Sequence, residues 1–146
     1  MRDGMKTTNV ELQITSIVDQ TAQVEEAYEK NQWQTDGKIY QRQQQLYLWY
    51  VEPHEEGDHT VQIKVTGEDN VMIKRRVTGV NYVLNFNRQK ATLNYHPITE
   101  KQAIELVGFL DDLEVSADEV KFTYRLYQAD NMLGVYTHRL NFASKK

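Results

Sequence analysis

The chain has no cysteine and two prolines among its 146 residues. The missing thiols exclude a disulfide framework, a thiolate nucleophile and any cysteine-ligated metal site. They are compatible with a reducing compartment. Scarce proline leaves long stretches free to donate every backbone N–H to a ladder. No apolar run approaches the roughly 18 residues of a membrane-spanning helix, so no membrane partner is expected. Residues 1–8 are polar and lack the apolar core of a signal peptide. They read as a disordered tail, residues 9–143 as one domain, and the setting as cytoplasmic. Basic charge is also thin. With 17 Lys and Arg against 21 Asp and Glu, the formal net charge is -4. Lys74-Arg75-Arg76 is the one short basic cluster and reads as a solvated strand end, so no nucleic-acid partner is expected. The catalytic signatures G-x-S-x-G, P-loop and G-x-G-x-x-G are missing as well. Asp111-Asp112 and Glu25-Glu26 would point to opposite faces of a strand, which removes them as paired carboxylates. No enzyme signature survives, which weighs against an enzyme without closing that option, and no cofactor is expected.

What the chain does have is tyrosine, nine of them, among frequent Val, Ile and Thr. That composition suits strands. Val10, Leu12 and Ile14 alternate with polar residues, the period of a half-buried strand. Residues 23–34 are ambiguous. Val24, Ala27 and Tyr28 could line a helix, while Tyr28, Trp33 and Thr35 suit a long, twisted, polar strand, which is the reading adopted. Asp36-Gly37 reads as a turn. The stretch 37–52 follows as a hairpin, with the polar linker 41–45 between its arms and a second arm dense in aromatic and branched residues. Residues 53–58 form a loop around Pro53 and Gly57.

Val61, Ile63 and Val65 share one face, as do Val71, Ile73 and Arg75. Gly67 and Gly79 punctuate. Tyr82, Leu84 and Phe86 alternate, then Ala91, Leu93 and Tyr95, with His96-Pro97 ending the strand. Residues 99–113 fit either a helix, through a Thr99/Gln102 capping box, or a strand with Gly108 as a bulge or bend. The strand is adopted, with Asp111-Asp112 as its turn. Val120, Phe122, Tyr124 and Leu126 form the cleanest late strand. After a loop from Asp130 to Gly134, Tyr136, His138, Leu140 and Phe142 form the last. About ten strands at regular spacing predict an all-β protein. Hairpin connections throughout most easily close into a single antiparallel up-and-down β-barrel, which removes exposed edges.

The succession VELQITSIV, DGKIYQRQQQLYLWYVE, HTVQIKVTGEDNVMIKRRVTG, YVLNF, LNYHP and EVKFTYRLYQADNMLGVYTHRLNF resembles the YwiB-like proteins of Gram-positive bacteria. That family is a domain of unknown function. The resemblance spans about residues 10–142 and departs at 96–99, where a glycine-containing turn would be more typical. It implies a calycin-like, lipocalin-like barrel in a bacterial cytoplasm and brings no catalytic residues with it.

Inside such a barrel the charged and aromatic residues of inward parity define the candidate site. Arg75 shares parity with Val71 and Ile73, and an inward charge needs a partner. It could take a ligand carboxylate, an internal acid or tyrosine hydroxyls, or sit at the rim in water. Tyr50, Tyr82, Tyr95, Tyr124 and Tyr136 lie on the apolar parity of five strands, with His138 beside them. They either fill the core, each hydroxyl with a partner, or fit out a ligand cavity. His54 and His59 share a loop with Glu55, Glu56 and Asp58, read as a solvated acidic loop and not as a metal site. Tyr47, Trp49 and Val51 form a second apolar face opposite Leu46, Leu48 and Tyr50. Such a patch marks an interface, a homodimer or a covering N-terminal segment.

Three functions follow. The resemblance implies a small-molecule binding barrel, and Arg75 with the inward tyrosines would suit a partly apolar, anionic ligand. The outer aromatic face would serve a non-catalytic interaction module. An enzyme with a barrel-mouth site has no motif behind it. A cavity near 300 Å³ or larger separates the first from the second.

Overall fold

A computed structural model of the chain describes residues 7–21, 25–55, 57–77, 79–88, 91–99 and 102–145, and within these not the side chains of 95–99 and 102–104. Ten strands follow in order: β1 (Thr8–Asp19), β2 (Tyr28–Arg42), β3 (Gln45–Glu52), β4 (His59–Thr66), β5 (Asn70–Val77), β6 (Val80–Asn87), β7 (Thr92–Thr99), β8 (Gln102–Val115), β9 (Glu119–Gln128) and β10 (Asn131–Ser144). Each pairs antiparallel with its neighbours in sequence, and β1 pairs with both β2 and β10, closing an up-and-down barrel. The narrowest seam is β6 to β7, where one residue pair, Val83 and Tyr95, is in register among the described residues. Among the described residues no helix is long and apolar enough to cross a membrane.

The alternation read from the sequence sets the faces. Val10, Leu12 and Ile14 of β1, Leu46, Leu48 and Tyr50 of β3, and Val61, Ile63 and Val65 of β4 are all buried. Val120, Phe122, Tyr124 and Leu126 of β9 complete the opposite wall. These residues form one continuous core cluster. Burial of its aliphatic and aromatic side chains, each about 1.5–3 kcal/mol, is the main term that holds the barrel closed.

Five local expectations are corrected. Asp36-Gly37 is no turn, because β2 runs through it unbroken. A Cβ at Gly37 would stand 2.6 Å from Leu12 Cδ1 and 2.6 Å from the Trp49 carbonyl oxygen, so glycine serves a close approach of three strands there. The hairpin turns instead at Gln43-Gln44, inside the expected linker, with Gln43 at φ 52°.

Asp111-Asp112 is likewise inside a strand, β8, where the register shifts between Leu110 and Asp112. The bulge inserts one residue and flips the parity, so inward Leu106 and Leu110 give way to inward Leu113. Asp111 then faces outward and takes Arg125 Nε on both oxygens, at 2.7 and 3.0 Å. Gly108 is not the bulge. Its missing side chain admits the Phe86 ring, which would lie 2.6 Å from a Cβ.

Pro97 does not end β7, which continues to Thr99 with an irregularity after Pro97. β10 begins at Asn131, and the expected loop is a bulge between Met132 and Gly134. Residues 1–6 of the expected tail, Val24, Glu56, and the side chains of Tyr95, His96 and Ile104 lie outside the described residues.

Candidate functional site

One end of the barrel gathers its ionisable groups. On β3 the inward parity of Leu46, Leu48 and Tyr50 continues to Glu52, the last residue of the strand, which is 9% exposed. The β3–β4 register sets Glu52 directly opposite His59. His59 has the parity of inward Val61 and Ile63, and both its ring nitrogens are shielded from solvent. Between them the chain leaves the sheet at Pro53 and returns through Gly57. Gly57 holds a φ of 128°, and its N–H donates to the His54 carbonyl at 3.1 Å. That closure folds His54 back over the barrel mouth. Its ring stacks on His59 with centroids 3.7 Å apart, and its Nε2 lies 2.7 Å from Glu52 Oε1.

Arg75 supplies the cation. Val61 pairs with Arg75 across β4 and β5, and Arg75 with Tyr82 across β5 and β6. Arg75 Nη1 donates to the same Glu52 Oε1 at 2.9 Å. Burial pushes the Glu52 carboxyl up, but the Arg75 charge and the hydrogen bonds from Arg75 and His54 outweigh it and hold the group below its ordinary value. Burial likewise pulls the Arg75 guanidinium down, and Glu52 reverses the direction. The other carboxylate oxygen, Glu52 Oε2, is buried with no hydrogen-bond partner among the described residues.

Beneath this layer lies an enclosed cavity of about 90 Å³, lined by Tyr50, Ile63, Ile73, Arg75, Tyr82, Leu84, Tyr124 and His138. The register explains the assembly. Tyr50, Val61, Arg75 and Tyr82 follow one another around the wall on four adjacent strands. On the far wall Tyr124 stacks between Phe86, at 4.0 Å between centroids, and Tyr136, at 5.1 Å. The Tyr124 hydroxyl meets His138 Nε2 at 3.3 Å. Burial, reinforced by the Arg75 charge against a weaker pull from Glu52, lowers the His138 pKa to about 4. Burial pushes the Tyr50 and Tyr124 hydroxyls above their usual range. Near neutral pH the cavity therefore presents a neutral imidazole, two protonated phenols and a guanidinium tied to a carboxylate.

At about 90 Å³ the cavity falls short of the roughly 300 Å³ that would favour a ligand over an interaction module, so its size alone does not favour the binder. Of the sequence-derived set, Arg75, Tyr50, Tyr82, Tyr124 and His138 meet around it. Tyr136 stands one ring behind Tyr124, its hydroxyl 3.4 Å from Gln20 Nε2. Tyr95 lies outside the described side chains. The opposite end of the barrel holds a broader depression open to solvent, lined by Gln41, Gln43, Gln44, Gln45 and Arg88. Arg88 Nη2 donates to the Leu113 carbonyl at 3.0 Å there.

On the outside, Tyr47 and Trp49 stack with parallel rings 5.6 Å apart, and Tyr40 tilts against Tyr47 at 5.8 Å. Lys64 Nζ lies 5.4 Å from the Tyr47 ring centre. Val51 is 45% exposed at the end of this stripe.

Sequence reasoning missed Glu52. The acids it grouped with His54 and His59 were Glu55, Glu56 and Asp58, and of these Glu55 and Asp58 are exposed. The signal was present. Extending the parity of Leu46, Leu48 and Tyr50 by one step reaches Glu52, and a hairpin closed over residues 53–58 brings it opposite His59.

The family model described as "Domain of unknown function (DUF1934)" matches residues 12–140. No curated protein matches the chain. Among solved structures, the ywiB protein from Bacillus subtilis is similar with a TM-score of 0.73 at 17% identity, over 96% of this chain and 94% of that one. At that identity the likeness speaks for the fold.

Proposed function

The chain belongs to the DUF1934 family, a domain of unknown function, and from that premise we propose that it is a non-catalytic barrel that binds a small ligand in the Arg75 cavity. One observation carries the reading: a cavity of about 90 Å³ whose lining joins Ile63, Ile73 and Leu84 to Arg75, His138 and three tyrosines. Ligand pockets have that make-up, apolar walls with a few convergent polar groups. The volume is about three times the share of one water molecule in the liquid, which limits the ligand to a few non-hydrogen atoms. Tyrosine hydroxyls and the Arg75 guanidinium suit an oxygen-bearing head, such as a short carboxylate. A base with a pKa of about 4 is a poor proton acceptor at neutral pH, which supports binding over catalysis. A bacterial cytoplasmic setting belongs to the same reading, and the lack of cysteine is compatible with it.

Native mass spectrometry of protein purified gently from its host tests this, followed by thermal shifts with formate, acetate and phosphate. A retained small mass, or a shift lost in the cavity-filling Leu84→Phe variant, is the expected result. A bare chain mass with no shift from any of these anions overturns it.

The second reading is a protein-interaction module acting through Tyr47, Trp49 and Val51. The stacked, half-buried Tyr40–Tyr47–Trp49 stripe on the outer face favours it, because aromatic residues are enriched at interfaces.

A further inference from the structure

We propose that Glu52, His54 and His59 form a site for one divalent transition-metal ion of the zinc class at the barrel mouth. One ligand atom from each residue lies within 4.8 Å of the others. In a tetrahedral zinc site, bonds of about 2.0–2.1 Å separate neighbouring ligand atoms by roughly 3.3 Å, so small side-chain rotations close the shell. Two imidazoles and one carboxylate match the borderline character of zinc, cobalt and nickel better than that of calcium or magnesium.

Glu52 gives a second, independent indication. Its Oε1 is taken by Arg75 and His54, while its Oε2 is buried and has no hydrogen-bond partner among the described residues. A buried carboxylate oxygen left in that state is costly. A cation bound on that side would satisfy it. The ligands are also held in place before any ion arrives. Glu52 and His59 are locked opposite each other by the β3–β4 ladder, and His54 by the Gly57 hydrogen bond and its stacking on His59.

Arg75 opposes a second cation, since it already neutralises Glu52 at 2.9 Å. The affinity is therefore modest. Three protein ligands also leave a coordination position for water or an anion. An ion would take over His54 Nε2, now 2.7 Å from Glu52 Oε1. The proposal stands apart from the cavity reading, because it is tested with no organic ligand present.

Tag-free protein stripped with chelator is titrated calorimetrically with zinc chloride, and its cobalt form is followed by visible absorption. We expect one equivalent bound and the intense d–d bands of four-coordinate cobalt. His54→Ala and Glu52→Gln should each weaken binding at least about tenfold. A third of the His54 side chain is exposed at the barrel mouth, so its variant should stay folded and decides the matter even if Glu52→Gln unfolds. Wild-type protein that binds no stoichiometric zinc below about 1 mM overturns the site. So does binding that His54→Ala leaves unchanged.

Discussion

Arg75 and Glu52 belong to strands that do not pair with each other, yet Arg75 Nη1 reaches across β4 to Glu52 Oε1 at 2.9 Å. The Arg75 side chain keeps 30% of its exposure and that of Glu52 12%, which puts the pair between a surface bridge and a buried one. Arg75→Met leaves a carboxylate facing the barrel without its cation. The loss should be about 2 kcal/mol, above the 0–1 of surface pairs and below the 3–5 of fully buried ones. The double variant Glu52→Leu with Arg75→Met should recover much of it. Urea midpoints of the four proteins at pH 7 measure the coupling, and simple additivity would remove it. Because Glu52 titrates below its unfolded value, its contribution is complete above that value and lost as the pH falls through the folded one.

His138 carries the opposite chemistry with the same pH trend. Its folded pKa of about 4 lies below the ordinary 6.5, so the unfolded chain binds the proton more readily. The stability it contributes is complete above about pH 6.5 and falls away toward pH 4, by at most about 3 kcal/mol. His138→Leu should flatten the stability profile in that window. Equal losses between pH 7 and 4.5 in wild type and variant would assign the acid sensitivity to the carboxylates.

Gly37→Ala should cost about 1–3 kcal/mol, the range for overpacking a filled core. The new Cβ would meet the Trp49 carbonyl oxygen at 2.6 Å, and a ladder carbonyl cannot swing aside. A glycine needed only for a turn beside an edge would tolerate alanine nearly without effect. Thermal unfolding by circular dichroism distinguishes the two.

Trp49→Glu tests the outer stripe. If the stripe is a self-association face, wild type sediments as a dimer at micromolar concentration and the variant as a monomer with an unchanged far-UV spectrum. The Trp49 indole stacks on Tyr47 at 5.6 Å outside the core, so a charge there should leave the barrel folded. A wild-type monomer across that range would remove the dimer.

Alternation with period two was enough to place Leu46, Leu48, Tyr50, Val61, Ile63 and Val65 inside, and to turn Arg75 the same way, because successive residues of a strand face opposite sides. It was also enough for an all-β chain of about ten strands, since each strand carries its own face pattern, while the exact count and the closure of the barrel came from the structure. Local turn chemistry was a poorer guide. Asp36-Gly37 and Asp111-Asp112 have turn-forming side chains, but pairing with two neighbouring strands on both sides outweighs a local preference. The cluster at the mouth was only half legible. Parity and the 53–58 hairpin already set Glu52 opposite His59, but its meeting with Arg75 across the width of β4 closes only when the sheet curls. The cavity has the same origin: parity brings tyrosines inward, and the curvature of the closed sheet decides whether their rings fill the space between them.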